Sequence, residues 1–170
     1  RKMSRSPGIV GRKLMLRSPA FARLPDLPTL KRERRMKTKA VLSVEDVQKI
    51  NAAAVAEATA NGWNVCITIV DDGGHALSLH RMDGAAPSTA MMSLGKAQTS
   101  AVGRRESGAF EEMINGGRFA FLSAPNTAML EGGVPIVVDG NVIGAVGVSG
   151  VKSAQDAQIA RAGIATVTGG

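Results

Sequence analysis

The sequence predicts an α+β fold, a single antiparallel sheet built from two hairpins and flanked by helices. Three observations carry this. Two β-branched runs are each split by a glycine-bearing turn, in "NVCITIVDDGGHALSLHRM" and "GGVPIVVDGNVIGAVGVSG". Helical periodicity appears before, between and after those hairpins. No strand–helix–strand crossover of the dinucleotide-binding type is present, so the sheet need not be parallel.

The elements follow in order. "SVEDVQKINAAAVAEATANGW" is an amphipathic helix: Ser43 is placed to cap it, Asp46 sits three residues on, and Val47, Ile50, Ala54, Val55 and Ala58 recur at helical spacing before the Asn61-Gly62 stop. "NVCITIVD" is a strand, "DDGG" a turn that needs glycine, and "HALSLHRM" the returning strand. A second helix is expected over 88–105, with Met91, Leu94, Ala97, Gln98, Ala101 and Val102 as its inner stripe, and a shorter one over 107–114. "INGGRFAFLSAPN" reads as irregular. The second hairpin turns at Asp139-Gly140, and a last helix starts at Ser153 with Gln155 and Asp156 in its first turn.

Charge divides the chain. Residues 1–39 hold thirteen Lys/Arg against Asp26 and Glu33, a net of +11, while residues 40–170 hold eight against twelve acids, a net of −4. The basic character therefore belongs to residues 1–35, a leader expected to lie outside the domain of residues 36–170. We favour translated upstream sequence with Met36 as the start, then a disordered basic tail; an organellar transit segment is the third reading. No secretory apolar region is recognised, which points to the cytoplasm, and no apolar run is long enough for a membrane span. The acidic remainder, with three Phe, one Trp and no Tyr, lacks the basic face and stacking aromatics of nucleic-acid binding.

Few side chains carry chemistry. Cys66, the single cysteine, sits in an apolar strand and reads as a buried, inert thiol. "GAVGVSGVKS" fails the phosphate-loop pattern, and its glycines read as points where another backbone or a ligand comes close. His75 and His80 lie five apart, on opposite faces of a strand, so they cannot chelate one metal. Asp71-Asp72 is turn chemistry, and Glu111-Glu112 a solvated pair. What remains is "RMDGAAPSTAMMSLGKAQTSAVGRR": a strand end, a tight loop and a helix start, with Arg81, Lys96 and Arg104 or Arg105 as cations suited to a carboxylate-bearing ligand. Arg81, Met82 and Asp83 are the informative residues of the loop. Arg81 and Lys96 are assigned to anion recognition.

Together, the R-M-D-G-A turn, the G-K-A-x-T helix and the G-G-V-P-I…G-x-I-G-x-x-G-V-S-G hairpin resemble the GlcG/HbpS haem-binding family over residues 40–170. The resemblance implies a profilin-like α–β–α sandwich, a symmetric homo-oligomer and haem as cofactor. It makes Thr99 the ligand-proximal residue of its helix, one turn after Lys96, with His80 the alternative iron ligand; Gln98 stands where the family motif carries an aromatic. Binding of haem or another small carboxylate ligand, in sensing, storage or degradation, is the expected function. Two alternatives stay open: an enzyme or accessory protein acting on a small organic acid or diol-pathway metabolite, and a structural oligomer without ligand.

Overall fold

The computed structural model describes residues 36–125 and 128–169; the expectations for residues 1–35 lie outside them. The elements are α1 (Val44–Ala60), β1 (Cys66–Asp71), β2 (Ala76–Arg81), α2 (Ser88–Gly103), α3 (Gly108–Asn115), a 3₁₀ turn (Phe119–Ser123), β3 (Gly133–Val138), β4 (Asn141–Ser149) and α4 (Ser153–Thr168). The four strands form one antiparallel sheet in the order β2-β1-β4-β3. This is the α+β architecture expected, with the two hairpins joined through their long inner strands.

Side-chain alternation sets the layers. Ile67 and Ile69 of β1, with Val146 and Val148 of β4, face α1 and α4 and close the larger core with Ile50, Ala54, Ile159 and Ile164. Val70 and Ala145 point the other way, onto Ala97 and Ala101 of α2. Hence α1 and α4 cover one face and α2 the other. Among the described residues no helix is long and apolar enough to cross a membrane.

Local signals explain several boundaries. Ser43 and Asp46 form a reciprocal cap: the Asp46 N–H donates to Ser43 Oγ at 3.1 Å and the Ser43 N–H to Asp46 Oδ2 at 2.9 Å. The Ser43 hydroxyl, which donates to Asp46 Oδ2 at 2.7 Å, and then the Ser43 N–H hold the Asp46 carboxyl below its ordinary range. Its share of the cap is therefore complete above the ordinary carboxylate pKa and is lost as pH falls through the lowered value. Ser43→Ala should cost about 1 kcal/mol, read as a lower urea midpoint at neutral pH; an unchanged midpoint would show that the cap is idle. At the second hairpin Asp139 and Gly140 have φ of 49° and 72°, the pair of positive values that a two-residue type I′ turn requires.

The second helix departs from expectation. Met91 and Val102 are 76% and 57% exposed, while Ser93, Lys96, Ala97, Thr99, Ser100 and Ala101 are buried. The cause lies in the sheet. A Cβ at Gly147 would sit 2.1 Å from the Ser93 carbonyl oxygen, and one at Gly133 2.2 Å from that of Lys96. The helix backbone rests directly on strand glycines, so only small residues fit beneath it and the large ones turn outward.

Candidate functional site

Helix α2 carries three sets of polar or apolar groups, on different sides. Under it, Thr68 Oγ1 and Ser93 Oγ lie 2.7 Å apart beside Cys66. Burial pushes the Cys66 thiol up, opposed by hydrogen bonds with Ser93 and Thr68. The thiol is fully buried and poor in thiolate. Iodoacetamide at pH 8 should leave it unmodified in the folded chain and label it in urea; labelling of the folded chain within minutes would contradict the inert reading.

Toward β4 and α4, Lys96 Nζ donates to Asp156 Oδ2 at 2.8 Å and to the Val148 carbonyl at 3.1 Å. The two residues are 4% and 2% exposed. Asp156 also accepts the Val151 N–H at 3.3 Å and stands in the first turn of α4, where the helix dipole favours an anion. Burial nonetheless raises the Asp156 carboxyl above its ordinary range, against the hydrogen bond and charge of Lys96. The expectation that Lys96 offers a cation to a ligand is corrected here: its ammonium is committed to an internal pair.

The third side faces the segment that leads into β3. Backbone groups there are held by side chains in place of a strand partner. The Ala128 N–H donates to Thr99 Oγ1 at 3.3 Å, the Glu131 N–H to Glu111 Oε2 at 2.6 Å and the Gly133 N–H to Ser107 Oγ at 2.8 Å. Ser107 closes the clasp by donating its N–H to the Gly133 carbonyl at 2.9 Å. Thus Thr99 stands behind this wall and is itself buried, where a ligand-facing residue was expected, and Glu111 is not merely solvated. Between this segment, α2 and α3 opens a pocket of about 320 Å³, lined by Met92, Ile114, Leu122, Ala128, Met129 and Leu130, with Glu111 and Asn115 at its polar side. That volume lies at the low end of small-molecule sites.

The remaining candidates sit elsewhere. Arg81 ends β2 opposite Cys66, exposed and without an ion pair to any described residue; the Lys96 ammonium lies on the far side of β1, against β4. Met82 packs on the larger core, and Asp83 is exposed. His80 is exposed on the α1 side of the sheet, its Nδ1 3.5 Å from Asn51 Nδ2. His75 pairs at 3.1 Å with Asp71, whose carboxylate also caps the turn through the Gly73 and His75 N–H groups. The structure therefore does not bring Arg81, Met82, Asp83 and His80 together with Lys96 and Thr99. Among the described residues no three of His, Cys, Asp and Glu are grouped to hold a metal ion.

Sequence reasoning missed Met92 of α2 and Ile114 of α3 because it singled out no residue facing them, and Leu122 and 128–130 because their stretches have no ladder periodicity. The available signal was local: "FAFLS" and "AML" place apolar side chains in stretches otherwise rich in turn residues.

Comparison with known proteins now bears on this site. Residues 42–165 match the family model described as "Haem degrading protein HbpS-like". Protein GlcG of Escherichia coli K12 is 56% identical over 114 residues, covering 67% of this chain and 85% of that protein. Two crystal structures share the fold. A double mutant of HbpS from Streptomyces reticuli has a TM-score of 0.71 at 29% identity, covering 83% of this chain and 97% of that one. PduOC in complex with haem has a TM-score of 0.69 at 27% identity, covering 75% and 96%.

Proposed function

We propose, from the premise that this chain belongs to the HbpS-like family, that it binds haem or a similarly flat, carboxylate-bearing ligand at the pocket between α2, α3 and the segment before β3. One observation carries the assignment. This is an open apolar pocket whose backbone wall is fixed by three side chains, Thr99, Ser107 and Glu111, so its shape exists before a ligand arrives. A site shaped in advance spares the ligand the cost of ordering it.

The residues present suit part of a haem. Met92, Ile114, Leu122, Met129 and Leu130 offer an apolar bed for a macrocycle face, and Phe119 and Leu122 extend it as exposed apolar surface. Arg118, held over the Phe121 ring at 4.6 Å, is the cation nearest in sequence to that rim and would meet a propionate through charge-assisted hydrogen bonds. Met92, Met129 and the Glu111 carboxylate are the lining side chains able to ligate iron, since His80 lies at the opposite edge of the sheet. Bound haem would supply a redox-active iron; the chain's own part is to orient the ring and shield one face from water.

The related protein crystallised with haem and the family description support this reading. It is tested by titrating haem into the full chain and following the Soret band. Saturable binding at micromolar haem is expected. No spectral change would favour the alternative, a protein acting on a small organic acid, to be pursued by thermal-shift screening of carboxylate metabolites. The chain is further proposed to work as a homo-oligomer, supported by large apolar side chains left at the surface, Leu77, Leu79, Phe119 and Leu122 among them. Light scattering should give a multiple of the chain mass.

A further inference from the structure

Helix α2 sends one charged group to the point where the pocket wall joins the sheet. Strands β3 and β4 pair with Gly133 opposite Gly147 and Val134 opposite Val146, and the same register sets Gly132 opposite Val148. A regular ladder would place two bonds there. One forms: the Val148 N–H donates to the Gly132 carbonyl at 3.0 Å. In place of the other, the Val148 carbonyl accepts Lys96 Nζ at 3.1 Å. Gly132 then leaves the strand with a φ of 120°.

That point of departure is tightly held. Gly132 is buried, and a Cβ on it would lie 2.9 Å from Lys96 Nζ, from Asp156 Cβ and from the Val148 carbonyl oxygen. The ammonium is gripped from two sides, by Val148 and by Asp156 Oδ2 at 2.8 Å. Directly before Gly132 comes the wall: Ala128, Met129 and Leu130 line the pocket, and the Glu131 N–H is held by Glu111. Burial raises the Asp156 carboxyl and the Glu131 charge adds to it, so the wall lies within electrostatic reach of the pair. An apolar couple of similar size would keep the core filled. It would also leave the Val148 carbonyl without a donor, and a buried carbonyl in that state favours any rearrangement that supplies one.

We infer that Lys96, held by Asp156, is a positioning residue of the pocket: its ammonium ends the β3–β4 ladder and so sets where the wall turns out of the sheet. The pair's contribution is to specify one arrangement of the chain, which a buried ionic pair can do without adding net stability. Without the ammonium, the Gly132 N–H turns onto the Val148 carbonyl. That adds one rung to the ladder and draws residues 128–131 toward the sheet. The consequence for ligand binding rests on the function proposed above; the effect on the wall does not.

The test uses the full chain carrying Lys96→Met and Asp156→Leu together, beside wild type and Ser43→Ala, a change at the cap of α1. Amide hydrogen exchange reads the wall directly. In the double variant the Gly132 amide should exchange about tenfold more slowly and the Ala128 and Glu131 amides about tenfold faster, while Ile67 and Ile69 of the central strand stay within about twofold. In Ser43→Ala the wall amides should keep their wild-type rates relative to Ile67. Haem titration of the same proteins should give a dissociation constant raised about tenfold in the double variant and unchanged in Ser43→Ala. Lys96→Met alone also removes the donor; it should move the same amides in the same directions and serves where the double variant does not fold. Wall amides that change only in step with Ile67 and Ile69 would reduce the pair to a structural brace and overturn the inference. A wild-type chain that takes up no haem would refute the proposed function alone, with the exchange pattern still deciding the role of Lys96.

Discussion

Asp156→Ala should destabilise the chain by about 3–5 kcal/mol, because it strands the Lys96 ammonium in a site with no access to water. Lys96 and Asp156 are almost wholly buried, and their 2.8 Å bond ties α2 to the start of α4 across β4. Lys96→Ala should cost a similar amount by stranding the carboxylate. The double replacement Lys96→Met with Asp156→Leu should recover most of the loss, since desolvating two charges offsets much of what their attraction contributes. The raised Asp156 carboxyl agrees: burial outweighs Lys96. Its sign follows from linkage. The folded chain holds this proton more tightly than the unfolded chain, so stability falls as pH rises from the ordinary carboxylate pKa through the raised one, and levels off above it. Urea unfolding of the three variants checks the account. Single variants within about 1 kcal/mol of wild type would show that water reaches the pair.

Gly147→Ala and Gly133→Ala should each cost about 1–3 kcal/mol, toward the upper end. The added methyl would meet a backbone oxygen of α2 at 2.1 or 2.2 Å, and a helix backbone cannot step aside as a side chain can. Relief requires lifting α2, which breaks the Thr68–Ser93 contact and shifts Met92 and Thr99 together. The two substitutions push the same helix, so their combined cost should fall short of the sum. Urea midpoints measure the cost. Near-neutral alanine variants would mean that α2 rides higher on the sheet than described.

How much of this was legible beforehand depended on where the causes lie in the chain. The cap at Ser43 and Asp46 and the turn at Asp139-Gly140 are decided by residues within three positions of each other, and both stand as the sequence implied. The inner stripe of α2 was misplaced because hydrophobicity alone ranks Met91 and Val102 inward. The residues that overrule it, Gly133 and Gly147, lie more than thirty positions away. Lys96 was read as open for the same reason, its partner Asp156 being sixty residues on. The pocket wall was hardest to see. Its backbone is satisfied by Thr99, Ser107 and Glu111, so it shows no strand periodicity, and nothing local says that a segment without a ladder is nonetheless fixed.

The central claim, that ligand binding belongs to the Thr99 side of α2 and not to the β2 end, is tested most directly by comparing haem affinities of two variants. Met92→Asp places a charge on the apolar bed; Arg81→Ala with His80→Ala removes the groups at the strand end. Burying an uncompensated charge against the macrocycle costs several kcal/mol, so the first should weaken binding on the order of a hundredfold or more, with the second within about twofold of wild type. A Met92→Asp chain that binds haem like wild type, beside an Arg81→Ala/His80→Ala chain that has lost it, would contradict the claim and return the site to the β2 end.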